Sequence, residues 1–277
     1  MKRVAVIAVF ILVLTAMFSV MAAPAAPADT VALIIQADSS ETAAQIVTEY
    51  GGQVNQHLDI ITAVSAEVSE STLALLMDDS RVVVYQNNAV RATDGDDNDD
   101  EGGENEDVFA ANFPQVVNAD DVWEEGVKGK HITVAVVDSG IGKFGWNRGR
   151  IKERYDALDN GPRKKDPYGH GSFVAGIIGN KKKDDTGSYM GIAPKVKFVD
   201  VRVLDEEGRG EYIDVVEGLN WVLENAEEYN IRVVNLSLIS DVASPDWVDP
   251  INQAVEQLWD AGIVVVAAAG NSGSDPM

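Results

Sequence analysis

Three segments of this 277-residue chain carry side chains whose types and order could do acyl-transfer chemistry together: Asp138 at the end of the apolar run VAVVD, His170 in YGHGSFVAG, and Asn271 just after IVVVAAAG. A carboxylate can hold an imidazole in one tautomer, and an imidazole so held acts as general base and then as general acid. An asparagine amide can donate to a developing oxyanion. Each residue alone has an ordinary reading. Aspartates end many strands, a histidine at a helix start is commonly a cap, and Gly-Asn is a routine turn. The order Asp, His, Asn and the glycines on both sides of His170 favour the joint reading. The other histidines lack that context: His57 sits in a strand-like run with no metal-ligand neighbours, and His131 opens no helix.

Positioning such residues needs strand ends that converge. From about Phe109 the pattern alternates between apolar runs, Ile132–Val137, Val196–Leu204, Ile231–Leu236 and Ile263–Ala268, and helical stretches, Gly171–Ile178, Ile213–Glu228 and Asp249–Ala261. Continuous apolar strands are buried on both faces, which predicts an α/β domain with a parallel sheet over residues 109–277. Ligands gather beyond the carboxyl ends of such strands, where Asp138 and Asn271 fall.

The region before it is organised differently. Residues 30–91 read β-α-β-β-α-β, the order of a small ferredoxin-like α+β domain. Residues 92–108 form an acidic linker in which DGDDNDDEGGENED carries nine acidic residues and no apolar one. Its spacing lacks the glycine and terminal glutamate of an EF-hand loop, so a self-repelling linker or a processing region fits better than a calcium loop. Residues 1–22 read as an export signal: Lys2 and Arg3, an apolar stretch from Val4 to Met21, then small residues with a cut after Ala22. The expected location is therefore extracellular, with no stable membrane association after cleavage; the competing reading is an uncleaved anchor.

The net charge of −23 excludes nucleic acid as a partner, because phosphate binding needs clustered Lys and Arg. With no cysteine there is no disulfide, thiol nucleophile or thiolate metal site.

Taken together the segments around Asp138, His170 and Asn271 resemble the subtilisin-like serine proteases. GIAPKVKFVDVRVLDEEGRG resembles the strand and turn after that family's histidine helix, and VVNLSL (Val233–Leu238) resembles its substrate-binding edge strand. The resemblance implies a parallel-sheet subtilisin-like catalytic domain preceded by an inhibitor-like propeptide, which would aid folding and occupy the cleft until removed. It implies that Asp138 orients the base, His170 is that base, Asn271 helps hold the oxyanion, and Ser237 and Leu238 pair with extended protein or peptide substrate. The chemistry requires no cofactor.

Departures from the family pattern are visible. Ser172 and Phe173 follow the histidine-glycine pair where the family often has Thr and His, and Ile239 and Ser240 stand where glycines usually follow the edge-strand leucine. The family's serine lies in a Gly-Thr-Ser-Met-Ala-like motif, and no serine of these 277 residues has that context: Ser272 lacks a following helix, and Ser139 and Ser172 adjoin the other catalytic positions. The expectation is a secreted serine endopeptidase precursor cut short before its nucleophile and inactive as it stands. NKKKDDTGSYMG occupies the place of a calcium loop in related proteases, with Asp184 and Asp185 as oxygen donors for a structural calcium, although three lysines beside them suit a plain surface loop. The rival from another class is a short binding protein whose N-terminal domain inhibits a protease in trans.

Overall fold

In the computed structural model, residues 30–93, 113–158, 165–240 and 245–270 are described. The export signal, most of the acidic linker and Asn271 lie outside them.

The N-terminal domain runs β1 (Thr30–Gln36), α1 (Ser40–Glu49), β2 (Gln53–Leu58), β3 (Ala63–Ser69), α2 (Glu70–Asp78) and β4 (Val83–Gln86). Its sheet has the order β2-β3-β1-β4 with every neighbour antiparallel, the split arrangement expected from the element order. Ser39 and Ser69 cap the two helices by accepting the Thr42 and Thr72 amides. Strand alternation then divides the apolar residues. Leu33, Ile35, Val64, Ala66 and Val68 pack under the helices with Ala43, Ile46, Val47 and Leu76. Ile34, Leu58 and Ala63 belong to a different core, shared with the second domain.

After β4 the chain leaves that sheet as β5 (Ala89–Ala92). Ala92, expected to begin the linker, is therefore a strand residue of the following assembly. Beyond the linker come two short helices, α3 (Phe113–Val116) and α4 (Ala119–Glu124), then β6 (Thr133–Asp138), β7 (Ile151–Asp156), α5 (His170–Gly179), β8 (Lys197–Arg202), β9 (Arg209–Glu211), α6 (Tyr212–Tyr229), β10 (Ile231–Leu236), β11 (Leu238–Ile239), α7 (Pro250–Asp260) and β12 (Val264–Ala267).

Five of these strands form a parallel sheet ordered β12-β10-β6-β8-β7. All six residues of β6 are buried, as a central strand covered on both faces requires. Val134 and Val136 face α5 in a core with Ala175 and Phe198, while Ala135 and Val137 face α6 in a core with Val216 and Leu219. The α/β architecture with flanking helices is thus the one expected. Strand β7 was not foreseen. Its sequence IKERYD is charged because it is an edge strand, and its register sets Arg154 opposite Asp200 and Asp156 opposite Arg202. Both opposed pairs are ion pairs, the second at 3.1 Å.

The N-terminal domain sits on α6 and α7. Ile60 and Ile61 share a buried cluster with Leu219, Val222, Ala254 and Leu258. The Asn220 side chain accepts the Ile60 amide at 2.8 Å, and Gln36 donates to Gln253 at 2.7 Å.

Candidate active site

Asp138 is the last residue of β6 and has no exposed surface. Its carboxylate accepts the Ser139 amide at 2.7 Å and lies 2.8 and 2.9 Å from Nδ1 of His170. A carboxylate only accepts, so Nδ1 carries the proton and Nε2 is left as the basic nitrogen. His170 is the first residue of α5, whose side chain is 9% exposed.

The close approach of strand end and helix start depends on two glycines. A Cβ on Gly171 would stand 2.2 Å from the Gly140 carbonyl oxygen and 3.1 Å from the Asp138 side chain. Gly140 has φ +118°, and a Cβ there would stand 2.2 Å from the Lys165 carbonyl oxygen. Neither position accepts a side chain without moving the pair apart.

Ser237 and Leu238 follow the carboxyl end of β10. Leu238 and Ile239 pair antiparallel with Ala92 and Arg91 of β5, and the other edge of β5 pairs with β9, giving a three-stranded sheet β11-β5-β9. The Thr93 amide donates to the Ser237 carbonyl at 3.3 Å, and the Ala92 amide to the Gly208 carbonyl at 2.9 Å. An extended segment of the chain therefore lies between two strands of the second domain as an added strand. Val90, 3% exposed, lines a cavity of about 290 Å³ together with Tyr212, Val215, Leu236, Leu238, Ile239 and Val255 among others. At its edge the Tyr212 hydroxyl donates to Asp249 at 2.9 Å, and burial beside that carboxylate pushes the phenol up to about 12.

The hydroxyls of Ser139 and Ser172 are committed elsewhere, both donating to Asp166 while accepting the Gly171 and Gly142 amides. Asp166 was not singled out from sequence; only its place four residues before His170 could have drawn notice.

Asp184 and Asp185 stand in the turn-containing segment between α5 and β8. The Asp184 carboxylate accepts the amides of Thr186 and Ser188 and the Thr186 hydroxyl within its own exposed turn, and these bonds hold it below the usual carboxylate range. Among the described residues no group of three His, Asp or Glu side chains could hold a metal ion.

A parallel α/β sheet carries a buried aspartate–histidine pair beyond its strand ends, beside a short edge strand that pairs with an extended segment of the same chain. The Subtilase family profile matches residues 129–276. The chain belongs to that family. It is 33% identical over 236 residues to serine protease AprX of Bacillus subtilis (strain 168), covering 82% of this chain and 50% of that protein. It is 30% identical to minor extracellular protease Epr of the same organism, covering 83% of this chain and 34% of Epr. Against thermitase of Thermoactinomyces vulgaris the identity is 33%, over 58% of this chain and 54% of thermitase. The chain thus spans about half the length of AprX and thermitase and about a third of Epr.

Proposed function

We propose that the chain is the propeptide-bearing first part of a secreted subtilase endopeptidase, supplying the base and its orienter for peptide-bond hydrolysis by a serine. His170 would take the nucleophile's proton at Nε2 and return it to the leaving amine, and Asp138 would stabilise the imidazolium that forms. Asn271 would donate to the oxyanion. Residues 30–93 would act as an intramolecular inhibitor and folding aid, with Ala89–Thr93 in the place of substrate and Ser237 and Leu238 as its backbone partners. Protein or peptide substrates bind the same edge in this reading. A structural calcium at Asp184 and Asp185 would need donors from outside their own turn.

The observation that carries the reading is the Nδ1 contact of His170 with both oxygens of the buried Asp138, 2.8 and 2.9 Å away. Export rests on residues 1–22; among the described residues no helix is long and apolar enough to cross a membrane. The pairing of β5 with β11 of its own chain favours inhibition in cis over a free-standing inhibitor.

The test uses two polypeptides. The 277 residues alone should not react with a fluorophosphonate, since Ser139 and Ser172 are engaged with Asp166. Joined after Gly270 to the serine-bearing remainder of AprX, the chain should be labelled and should hydrolyse peptides, both effects disappearing in His170→Ala. A chimera that is folded by circular dichroism, yet neither labelled nor active, would overturn the proposal.

A further inference from the structure

Asp166 stands just before α5, and its carboxylate is taken up entirely by the two ends of the Asp138–His170 pair. Oδ1 accepts the Ser139 hydroxyl at 2.8 Å and the Gly169 amide at 2.7 Å. Oδ2 accepts the Ser172 amide at 2.8 Å together with the Ser172 hydroxyl. These four donors fill about the four acceptor sites a carboxylate has. The two hydroxyls then pass the connection on: Ser139 Oγ accepts the Gly171 amide at 3.0 Å, and Ser172 Oγ accepts the Gly142 amide at 2.8 Å. One side chain thus reaches the residue after Asp138, the residue before His170 and both residues after it.

A helix cap would account for part of this. Gly169, at the N-cap of α5 with φ +98°, has no side chain to accept the first free amides, so another residue must supply the oxygen. Capping needs only the Gly169 and Ser172 amides, however. The bond from Ser139 does nothing for the helix by itself; it ties the helix start to the end of β6. The backbone repeats the tie, since the Lys165 carbonyl lies against Gly140 and the Gly140 carbonyl against Gly171.

We propose that Asp166 is a positioning residue: through Ser139 and the start of α5 it sets the distance and orientation of the His170 ring on Asp138. The proposal deepens the acid–base reading of that pair and rests on it. Loss of the tie leaves both residues present but lets the helix start drift from the strand end. The Nδ1 bond is then made for a smaller fraction of the time.

The experiment follows the Nδ1 proton of His170 by NMR in the full 277-residue chain labelled with 15N-histidine, with exposed His57 and His131 as internal references. The wild-type chain should show a low-field, slowly exchanging Nδ1 proton that Asp138→Asn removes; its absence would overturn the pair itself, a separate failure. Given that signal, Asp166→Asn and Ser139→Ala should each shift it and speed its exchange with water about tenfold, the order expected when a hydrogen bond to a charged group is lost. Ser139→Ala keeps both capping amides on Asp166 but leaves the buried Gly171 amide without its acceptor, so its melting temperature should fall, and by less than that of Asp166→Asn, while the resonance moves as far. An unmoved resonance with wild-type exchange in Ser139→Ala would overturn the proposal and leave Asp166 a plain cap. So would a lowered melting temperature with an unmoved resonance in Asp166→Asn. If Asp166→Asn does not fold, Ser139→Ala decides alone.

Discussion

Leu238 faces Ala92 across an antiparallel ladder, so the edge strand of the second domain is filled by the chain's own β5. The Thr93 amide already donates to the Ser237 carbonyl, and the alternation of antiparallel ladders makes Arg91 and Ile239 the next hydrogen-bonded pair. Beside this ladder Val90 is 3% exposed and lines the cavity together with Tyr212, Leu238 and Ile239.

Val90 should therefore control occupancy of the edge. A carboxylate at that nearly buried position would lose its solvation and face Asp249, which also lines the cavity, and both are costly. Val90→Asp is expected to speed hydrogen exchange at the Arg91 and Ile239 amides by about tenfold or more. The N-terminal sheet, of which β5 is no part, should keep its protection. Mass-spectrometric or NMR exchange reads both at once, and equal protection of Ile239 in variant and wild type would contradict the assignment.

Asp138→Asn tests the tautomer. An asparagine amide group can donate toward Nδ1, which then accepts and leaves the proton on Nε2, the nitrogen needed as base. In the AprX-extended chimera kcat should fall by roughly ten-thousand-fold, as orienting-aspartate losses do. KM should change little, because β11 and the Val90 cavity are untouched. A large KM effect with kcat retained would assign Asp138 to binding instead.

Much of this was legible from sequence for identifiable reasons. β6, β8 and β10 are buried parallel strands and show as apolar runs, and the N-terminal elements show as two capped amphipathic helices among alternating strands. Asp138 and His170 stood out because one ends an apolar run and the other has glycine on both sides. β7 was hidden because its charges are satisfied across the ladder by Asp200 and Arg202, a pairing set by register rather than by local pattern. The β11-β5-β9 sheet was hidden because short strands distant in sequence make it. Asp166 was hidden because a carboxylate in a loop is usually solvated, and only its four donors distinguish it.

Asp214 gives a pH dependence. It is the N3 residue of α6 and accepts the Glu211 amide, yet burial, helped by Glu211, Glu217 and Asp205, pushes it up to about 7 from an ordinary 3.8. An acid raised in the folded state holds its proton there while the unfolded chain has lost it. Its contribution to stability therefore falls as pH rises from 3.8 to about 7. With water reaching this partly buried site, the loss should be about 1–2 kcal/mol. Asp214→Asn should flatten that part of the profile, seen as a smaller difference in urea midpoint between pH 5 and pH 8. An unchanged profile would place the slope elsewhere.

Arg150 is buried on carbonyls rather than a carboxylate. Its guanidinium donates to the Val196 carbonyl at 2.9 and 2.6 Å and to the Gly179 carbonyl, and lies 5.3 Å from the Phe198 ring centre. Burial lowers its pKa to about 10. Arg150→Met should cost about 2–4 kcal/mol, since two buried carbonyls lose their donors while much of the packing volume is kept. Denaturant unfolding measures it; the loss should appear without any change in the His170 resonance, because Arg150 holds the far end of α5.

Gly171→Ala is the smallest change that should part the Asp138–His170 pair. The added methyl would meet the Gly140 carbonyl oxygen at 2.2 Å and the Asp138 side chain at 3.1 Å, and both are backed by buried structure. Helix propensity alone would favour alanine by about 1 kcal/mol. Relief must therefore come from movement of the α5 start away from β6, which lengthens the His170 contact with Asp138. The variant should retain most of its helix content by circular dichroism while losing the slowly exchanging Nδ1 proton of His170. A retained proton would mean that the strand end yields instead, and that the tight Gly140–Gly171 contact is not what sets the geometry of the pair.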